Sequence, residues 1–184
     1  GPYGASGILV YAANNVTVRS NTVSRADIGI AVSAGAYHNL GPITDVLVEG
    51  NEVYGTGVGI QVSFDANNTS IKDNYVHDNL TGLYEEFYLG YGPTGTVALN
   101  NRLVDNVEQA MTGASDETPI PEGHVFTAEE NWWGSIKGPQ AGQITGLVTS
   151  DPWCGDADCS FLVSAVEPEE DGFYVKDGKL FIKG

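Results

Sequence analysis

The chain has 184 residues, 41% of them hydrophobic, and its 24 acidic and 8 basic side chains give a formal charge of −16. Such a charge repels nucleic acid, anionic membrane surfaces and polyanionic sugars unless a cation bridges them. The sequence contains no run of 18 apolar residues, the length that a membrane-spanning helix needs. We therefore expect no nucleic-acid partner and no membrane insertion.

A short sequence pattern recurs between residues 7 and 134. Each copy begins with a glycine followed by an aliphatic residue, and continues to an asparagine with a hydrophobic residue two places on. The pairs are Gly7-Ile8, Gly29-Ile30, Gly59-Ile60, Gly82-Leu83 and a degenerate Ala110-Met111, and the asparagines are Asn21, Asn51, Asn74, Asn101 and Asn131. The asparagine precedes the next glycine by the same interval in three copies, 21 to 29, 51 to 59 and 74 to 82. This regularity indicates a structural repeat.

Each copy alternates apolar and polar residues with period 2, and no copy has ten residues of helical periodicity. Such short repeats predict stacked single-turn coils of β-strands, that is, a parallel β-helix with a right-handed crossover. We expect the asparagines at a corner between two strands, in left-handed backbone geometry, each bonded to the asparagine of the neighbouring coil. We expect the glycines at the other tight corner.

The end of the repeat carries further motifs, Asn131-Trp132-Trp133-Gly134, Gly138-Pro139 and Asp151-Pro152-Trp153. In these and in the repeat, the chain resembles the right-handed parallel β-helix proteins of the pectate-lyase-like superfamily over roughly residues 7–153. The resemblance implies an all-β fold, a single-stranded β-solenoid of about five coils with a C-terminal cap and a terminal β-hairpin. That superfamily holds lyases, hydrolases, epimerases and members without known chemistry, so the resemblance implies a fold more than an activity.

Three segments are predicted. Residues 1–134 form the coils, residues 135–171 an aromatic and cysteine-containing cap with an acidic linker, and residues 172–184 a hairpin around Asp177-Gly178. Nothing caps the first aliphatic residues, so we expect further coils before residue 1 in the full protein. The uncapped first coil and the hairpin are also candidate surfaces for self-association.

The chain has two cysteines, Cys154 and Cys159, in a loop rich in glycine and aspartate. We predict a local disulfide; the alternative, a zinc site, would have only half of its ligands. A disulfide indicates an oxidising compartment, and we expect an extracellular, cell-surface or periplasmic location.

Insertions follow the glycine strand in coils 2, 4 and 5, near residues 33–45, 84–95 and 112–125, whereas coil 3 is short. Insertions at one position of a repeat project from one edge of the stack, often the binding face. Coil 3 is then the floor of a notch between two tall loops. The predicted floor is Phe64, Asp65, Asn67 and Asn68, and the predicted walls are Tyr37, His38, Tyr84, Glu86, Phe87, Tyr88 and Tyr91. The aromatic residues suit either stacking on a polysaccharide or glycan, or packing of the loop on its own scaffold.

Glu85 aligns with the inward-facing Val10, Val32 and Val62. A buried carboxylate needs a partner or a cation, unless the strand bulges. With Glu86 and Asp65 it forms a candidate Ca²⁺ site or an acid and base pair for glycoside hydrolysis. If the strand continues, however, Glu85 and Glu86 face opposite sides.

An outward column of side chains has two readings, as sugar-acid ligands or as a surface ladder of charges. It consists of Arg19, Glu49, Lys72, Leu99 and Glu129. The three histidines, His38, His77 and His124, fall on different coils and loops, and we expect His77 at the surface.

Three functions follow from these patterns. The first is a non-catalytic segment of a secreted or cell-surface protein that serves as a scaffold, in adhesion or in carbohydrate recognition. The second is a fragment of an enzyme that acts on acidic polysaccharides with Ca²⁺ at Asp65, Glu85 and Glu86. The third is a subunit that assembles end to end through its first coil and its C-terminal hairpin.

Overall fold

The computed structural model describes residues 4–35, 40–114, 118–165, 173–176 and 179–183, the last two ranges only as paired strands. Tyr37 and His38 lie outside these residues. The described residues form an all-β structure of stacked parallel strands. None of them forms a helix of the length and apolarity that crossing a membrane requires.

Three parallel sheets form the walls of a β-solenoid. Sheet A consists of β1 (Ser6–Tyr11), β4 (Ile28–Ser33), β8 (Val58–Ser63), β12 (Thr81–Phe87), β15 (Glu108–Ala114) and β17 (Ile144–Thr145). Sheet B consists of β2 (Thr17–Arg19), β6 (Leu47–Glu49), β10 (Ser70–Lys72), β13 (Val97–Leu99), β16 (Phe126–Thr127) and β18 (Val148–Thr149). Sheet C consists of β3 (Thr22–Ser24), β7 (Glu52–Tyr54), β11 (Tyr75–His77) and β14 (Arg102–Val104). A short pair, β5 (Ile43–Thr44) and β9 (Ala66–Asn67), joins two of the connections.

About four turns carry a strand in all three sheets. In the next turn the third strand is reduced to a single parallel bridge between Arg102 and Trp132. The strands alternate inward and outward side chains, so the short strands of sheets B and C each contribute one apolar column to the interior, and the longer strands of sheet A contribute two. Two of the buried columns are Val18, Val48, Ile71 and Ala98 of sheet B with Ala128 directly after β16, and Val23, Val53, Val76 and Leu103 of sheet C with Trp133 in the next turn.

The repeat asparagines stack at the corner between sheets B and C. In each step the Nδ2 of one asparagine donates to the Oδ1 of the next at 2.9–3.0 Å, from Asn21 through Asn51, Asn74 and Asn101 to Asn131. The backbone N–H of the same residue also donates to that Oδ1. One oxygen per coil therefore accepts two hydrogen bonds from the coil before it.

The left-handed residue at this corner is not the asparagine, as the sequence analysis expected, but the residue before it. Ser20, Gly50, Asp73, Asn100 and Glu130 have φ values between 52° and 62°. The asparagine itself is not at positive φ, and its amide bonds along the stack. The asparagine column therefore reflects side-chain bonding between coils, and the backbone bend is made one residue earlier by several residue types.

The recurring glycines also differ from expectation, because they lie inside the strands of sheet A and not at a corner. A Cβ placed on Gly29 would lie 2.3 Å from Val53 Cγ1 and 2.6 Å from the carbonyl oxygen of Gly59. At Gly59 the same atom would lie 2.6 Å from the oxygen of Gly82. Glycine is required here because the next coil approaches too closely for any side chain.

A second, shorter ladder lies at the corner between sheets C and A. Thr56 donates its hydroxyl to Asn79 Oδ1 at 2.7 Å, Asn79 Nδ2 donates to Asn106 Oδ1 at 2.9 Å, and Asn106 Nδ2 donates to Gln109 Oε1 at 2.7 Å. All four side chains are buried. The solenoid is thus tied at two corners by amide side chains that run in the same direction.

The C-terminal segment closes one end of the core. β19 (Trp153–Cys154) pairs antiparallel with β20 (Leu162–Ser164), and Trp153 is buried with Val163 in the main core. The Cys154–Cys159 disulfide spans the loop between these strands. β21 (Phe173–Lys176) and β22 (Lys179–Lys183) pair antiparallel, and β22 extends the sheet by pairing with β20.

Candidate functional site

Glu85 lies in the interior of the solenoid, bonded to a histidine. The strand β12 continues through it in register with Val62 and Thr112, so its side chain points inward without a bulge. The carboxylate is 0% exposed, and its Oε2 lies 2.6 Å from Nε2 of His124, whose side chain is 7% exposed. The ring of Phe87 packs edge-on against His124 at 4.8 Å. The partner that a buried carboxylate requires is therefore His124.

Burial raises the pKa of Glu85, and this effect outweighs the lowering by the nearby Thr96 hydroxyl and by His124. Two buried oxygens of this region, Glu85 Oε1 and Thr96 Oγ1, each lack a hydrogen-bond partner among the described residues. A titratable pair of this type has the groups for acid–base chemistry. Its enclosure, however, keeps both side chains away from any ligand at the surface, and the pair acts as an internal contact between β12 and the segment before β16.

The three carboxylates proposed for Ca²⁺ occupy different surroundings. Glu86 faces outward from sheet A and accepts a hydrogen bond from Gln61 Nε2 at 2.5 Å. Asp65 lies beyond β8 and accepts a 3.3 Å hydrogen bond from the backbone N–H of Gly92. In the part of the chain that the structure describes, no three His, Cys, Asp or Glu side chains are grouped as for a metal ion.

The aromatic residues of the predicted notch pack on one another. The loop after β12 turns at Leu89 and Gly90, both at positive φ, and Tyr88 and Tyr91 pair across the turn. This geometry places the rings of Tyr88 and Tyr91 at 6.0 Å and 6.4 Å from the ring of Phe64. Phe87 is buried, and Tyr84 faces outward from sheet A, half-buried. The loop thus covers the floor beneath it.

The polar residues of the notch floor are also engaged. Asn67 Oδ1 accepts hydrogen bonds from both the backbone N–H and the hydroxyl of Thr94, and Asn68 donates to Thr44 Oγ1 at 3.3 Å. The Asn67 bonds and the Asp65 contact fasten the returning loop to coil 3, whereas the Asn68 bond joins coil 3 to β5 of the coil before it. Ligand binding by the notch residues stays a prediction.

The outward charge column contains one ion pair, Lys72 Nζ to Glu49 Oε1 at 3.1 Å, with both side chains partly exposed. This contact links adjacent strands of sheet B, and a surface pair of this kind stabilises by at most about 1 kcal/mol.

A row of stacked side chains runs over the outer face of sheet C. The imidazole of His77 stacks on Tyr75 at 4.0 Å and on Tyr54 at 5.1 Å, and the guanidinium of Arg102 lies 4.6 Å from the centre of the Tyr75 ring. His77 Nδ1 also lies 2.7 Å from Asp78 Oδ2. His77 is therefore part of a packed row, with a side chain only 14% exposed.

An open cleft of about 550 Å³ lies between this row and the disulfide loop. One wall is made by the corner of sheets B and C, and the other by the loop that Cys159 closes. The volume is within the range of ligand pockets, about 300–1,000 Å³. Its lining residues are Asp73, Asn74, Tyr75, Asn100, Arg102, Ala157, Asp158 and Cys159.

The fold and these sites define the protein as a parallel β-solenoid with an internal acid–histidine pair and a surface cleft between coils and cap. Residues 4–120, more than half of the chain, match the family model described as right handed beta helix region. The chain therefore belongs to the right-handed β-helix family. Comparison with curated proteins and with solved structures gave no significant match.

Sequence reasoning missed two features of this surface and interior. His124 stands before β16 and outside any strand, so period-2 alternation gave no direction for its side chain. Arg102 and Tyr75 stand one place after successive ladder asparagines and are paired in register, which places them side by side on sheet C. The wall formed by the disulfide loop had no comparable signal.

Proposed function

We propose that this chain is a non-catalytic β-helix module of a secreted or cell-surface protein, and that it recognises glycans. The observation that carries the proposal is the enclosure of Glu85 and His124, the pair with acid–base chemistry, inside the coil. A rigid solenoid with an open cleft supports recognition, because preorganised polar groups lower the entropic cost of binding. The Cys154–Cys159 disulfide fits an oxidising compartment.

A second candidate function is supported by the outer face of sheet A. Ser33, Gln61 and Ser63 are polar and buried there, next to the outward Glu86. Such a recessed polar strip suits a polysaccharide chain, and Glu86 would be its acid, base or Ca²⁺ ligand. This candidate is a polysaccharide-active enzyme of the lyase or hydrolase type.

The two functions are separated by assaying binding and turnover on the same glycans. We expect saturable binding on a glycan array without bond cleavage, followed as reducing ends and as absorbance of unsaturated sugars, with and without Ca²⁺. Cleavage that is lost in Glu86→Gln but kept in the exposed control Glu122→Gln would replace our proposal with the enzyme. No binding to any glycan would leave only the scaffold or end-to-end assembly, which sedimentation at increasing concentration would then test.

A further inference from the structure

We infer that the cleft between sheet C and the disulfide loop is a binding site for a neutral oligosaccharide. The inference rests on the proposed glycan recognition and adds its location and the class of sugar.

The first argument is that the polar groups of the cleft are unused. Within the described residues, the side chains of Asp73, Asn100, Arg102 and Asp158 make no hydrogen bond to another protein group, and no carboxylate oxygen lies within 4.0 Å of the Arg102 guanidinium. The predicted notch differs, because Asp65 and Asn67 accept hydrogen bonds from the loop above them, and Asn68 donates to Thr44 of the preceding coil. The cleft therefore keeps hydrogen-bonding capacity for a ligand.

The second argument is the chemistry of these groups. Carboxylate, amide and guanidinium are planar and bind through two atoms at once, which matches two adjacent hydroxyl groups of a sugar ring. Asp73 and Asn100 occupy the same corner position in successive coils, both at left-handed φ, so their spacing is that of neighbouring strands, about 4.8 Å. The ligand therefore meets a repeated array of donors and acceptors along the stack.

The third argument is rigidity. Asp73 and Asn100 directly precede the ladder residues Asn74 and Asn101, which are buried and fully bonded. On the opposite wall the loop is closed by the disulfide and by hydrogen bonds from Ser160 to Asp156. Both walls are held before a ligand arrives, which lowers the entropic cost of binding.

The fourth argument is the net negative charge of the cleft, which favours a neutral sugar over an acidic one. The cleft has two carboxylates, Asp73 and Asp158, against one guanidinium, Arg102. Hydrogen bonds from Ser160 lower the pKa of the adjacent Asp156, which keeps another negative charge on the same loop. In a chain of formal charge −16, a uronate would meet net repulsion here. The faces of the Tyr75 ring are used by His77 and Arg102, so hydrogen bonding, more than ring stacking, holds the sugar.

The test compares neutral and acidic hexasaccharides by calorimetry on the whole chain. The neutral probes are β-1,4-linked glucose, mannose and xylose, and the acidic probe is galacturonate of the same length. We expect binding of at least one neutral probe and none of galacturonate. Galacturonate binding without neutral binding would overturn the neutral class while leaving glycan recognition in place, and no binding of any glycan would overturn both.

Variants locate the site. Arg102→Ala is expected to weaken neutral binding about tenfold or more, because it removes charged hydrogen bonds. Its control is Arg19→Ala, which removes the same charge from the exposed end of sheet B and should leave binding unchanged. Asn100→Gly removes an amide without straining a left-handed residue, and provides a second test if Arg102→Ala lowers the melting temperature. Neutral binding that survives both cleft variants would overturn the location.

Discussion

Removing His124 should expose how much the solenoid depends on its internal acid–histidine pair. Glu85 is 0% exposed, and His124→Ala removes its partner at 2.6 Å. Removing one partner of a buried pair costs about 3–5 kcal/mol, because the remaining group is buried without compensation. The double variant Glu85→Val with His124→Leu should recover to within about 1 kcal/mol of wild type, because Val32 and Val62 already fill the equivalent inward positions.

The deficit of His124→Ala should also depend on pH. The pKa of Glu85 is raised in the folded chain, so the folded state binds this proton more tightly than the unfolded state does. The contribution of such a group to the free energy of unfolding is most favourable below the ordinary glutamate pKa. It falls as the pH rises from that range and is least favourable above the folded-state pKa. Removing His124 removes two causes that lower this pKa, so the pKa rises further. The difference from wild type should be larger at pH 7 than at pH 4.

The measurement is urea unfolding of both proteins at each pH. The difference between the two proteins at one pH removes the contribution of all other carboxylates to the free energy of unfolding. Glu122→Ala, an exposed change in the same segment, is the control and should differ from wild type by less than about 0.5 kcal/mol. A His124→Ala midpoint equal to that of wild type would refute the role of the pair. A deficit of the same size at both pH values would refute the assignment of a buried, proton-binding Glu85.

Three further changes test the coil contacts and the cap. Asn74→Ala should cost about 4 kcal/mol or more, because the side chain takes part in five hydrogen bonds within a buried ladder. Gly59→Ala should cost about 3 kcal/mol, because the new Cβ would lie 2.6 Å from the oxygen of Gly82. Replacing Cys154 and Cys159 by serine should cost about 2 kcal/mol of stability, the value for closing so short a loop, and should weaken glycan binding in the cleft. Urea unfolding measures the first two changes, and melting with calorimetry measures the third.

Each change has a control. Asn21→Ala removes the partly exposed end of the same ladder and should cost about 1 kcal/mol. Gly50→Ala places a methyl group in open space at positive φ and should cost about 1 kcal/mol. Equal losses for target and control would contradict the contacts assigned to Asn74 or Gly59. Unchanged glycan affinity after removal of the disulfide would contradict the loop's role as a wall of the cleft.

The repeat was predictable because its causes act on every coil. Inward columns such as Val18, Val48 and Ile71 follow from period-2 alternation, which the strands obey. The backbone bend was misplaced, since the positive φ falls on Ser20, Asp73 and similar residues that share no sequence feature. A residue type identifies a bonded side chain more reliably than it identifies a local backbone angle.

The sites were less predictable because they depend on contacts between distant segments. Glu85 was predicted to face inward, yet its partner His124 is 39 residues away beyond an insertion. The loop after β12 covers coil 3 because the chain turns back at Leu89 and Gly90, and no sequence pattern outside this turn predicts its direction. The cleft brings Arg102 near Asp158, which only the path of the cap determines.

The asparagine ladder allows the number of coils in the stack to change one coil at a time. Each ladder asparagine offers the same donors toward the following coil and the same oxygen toward the preceding one, and the shortest complete step, from Asn51 to Asn74, is 23 positions long. A tandem copy of residues 51–73 would present each neighbour with the contacts it already makes. Genetic duplication can therefore lengthen this solenoid one turn at a time, and move the cleft and cap along its axis, without a new core being designed.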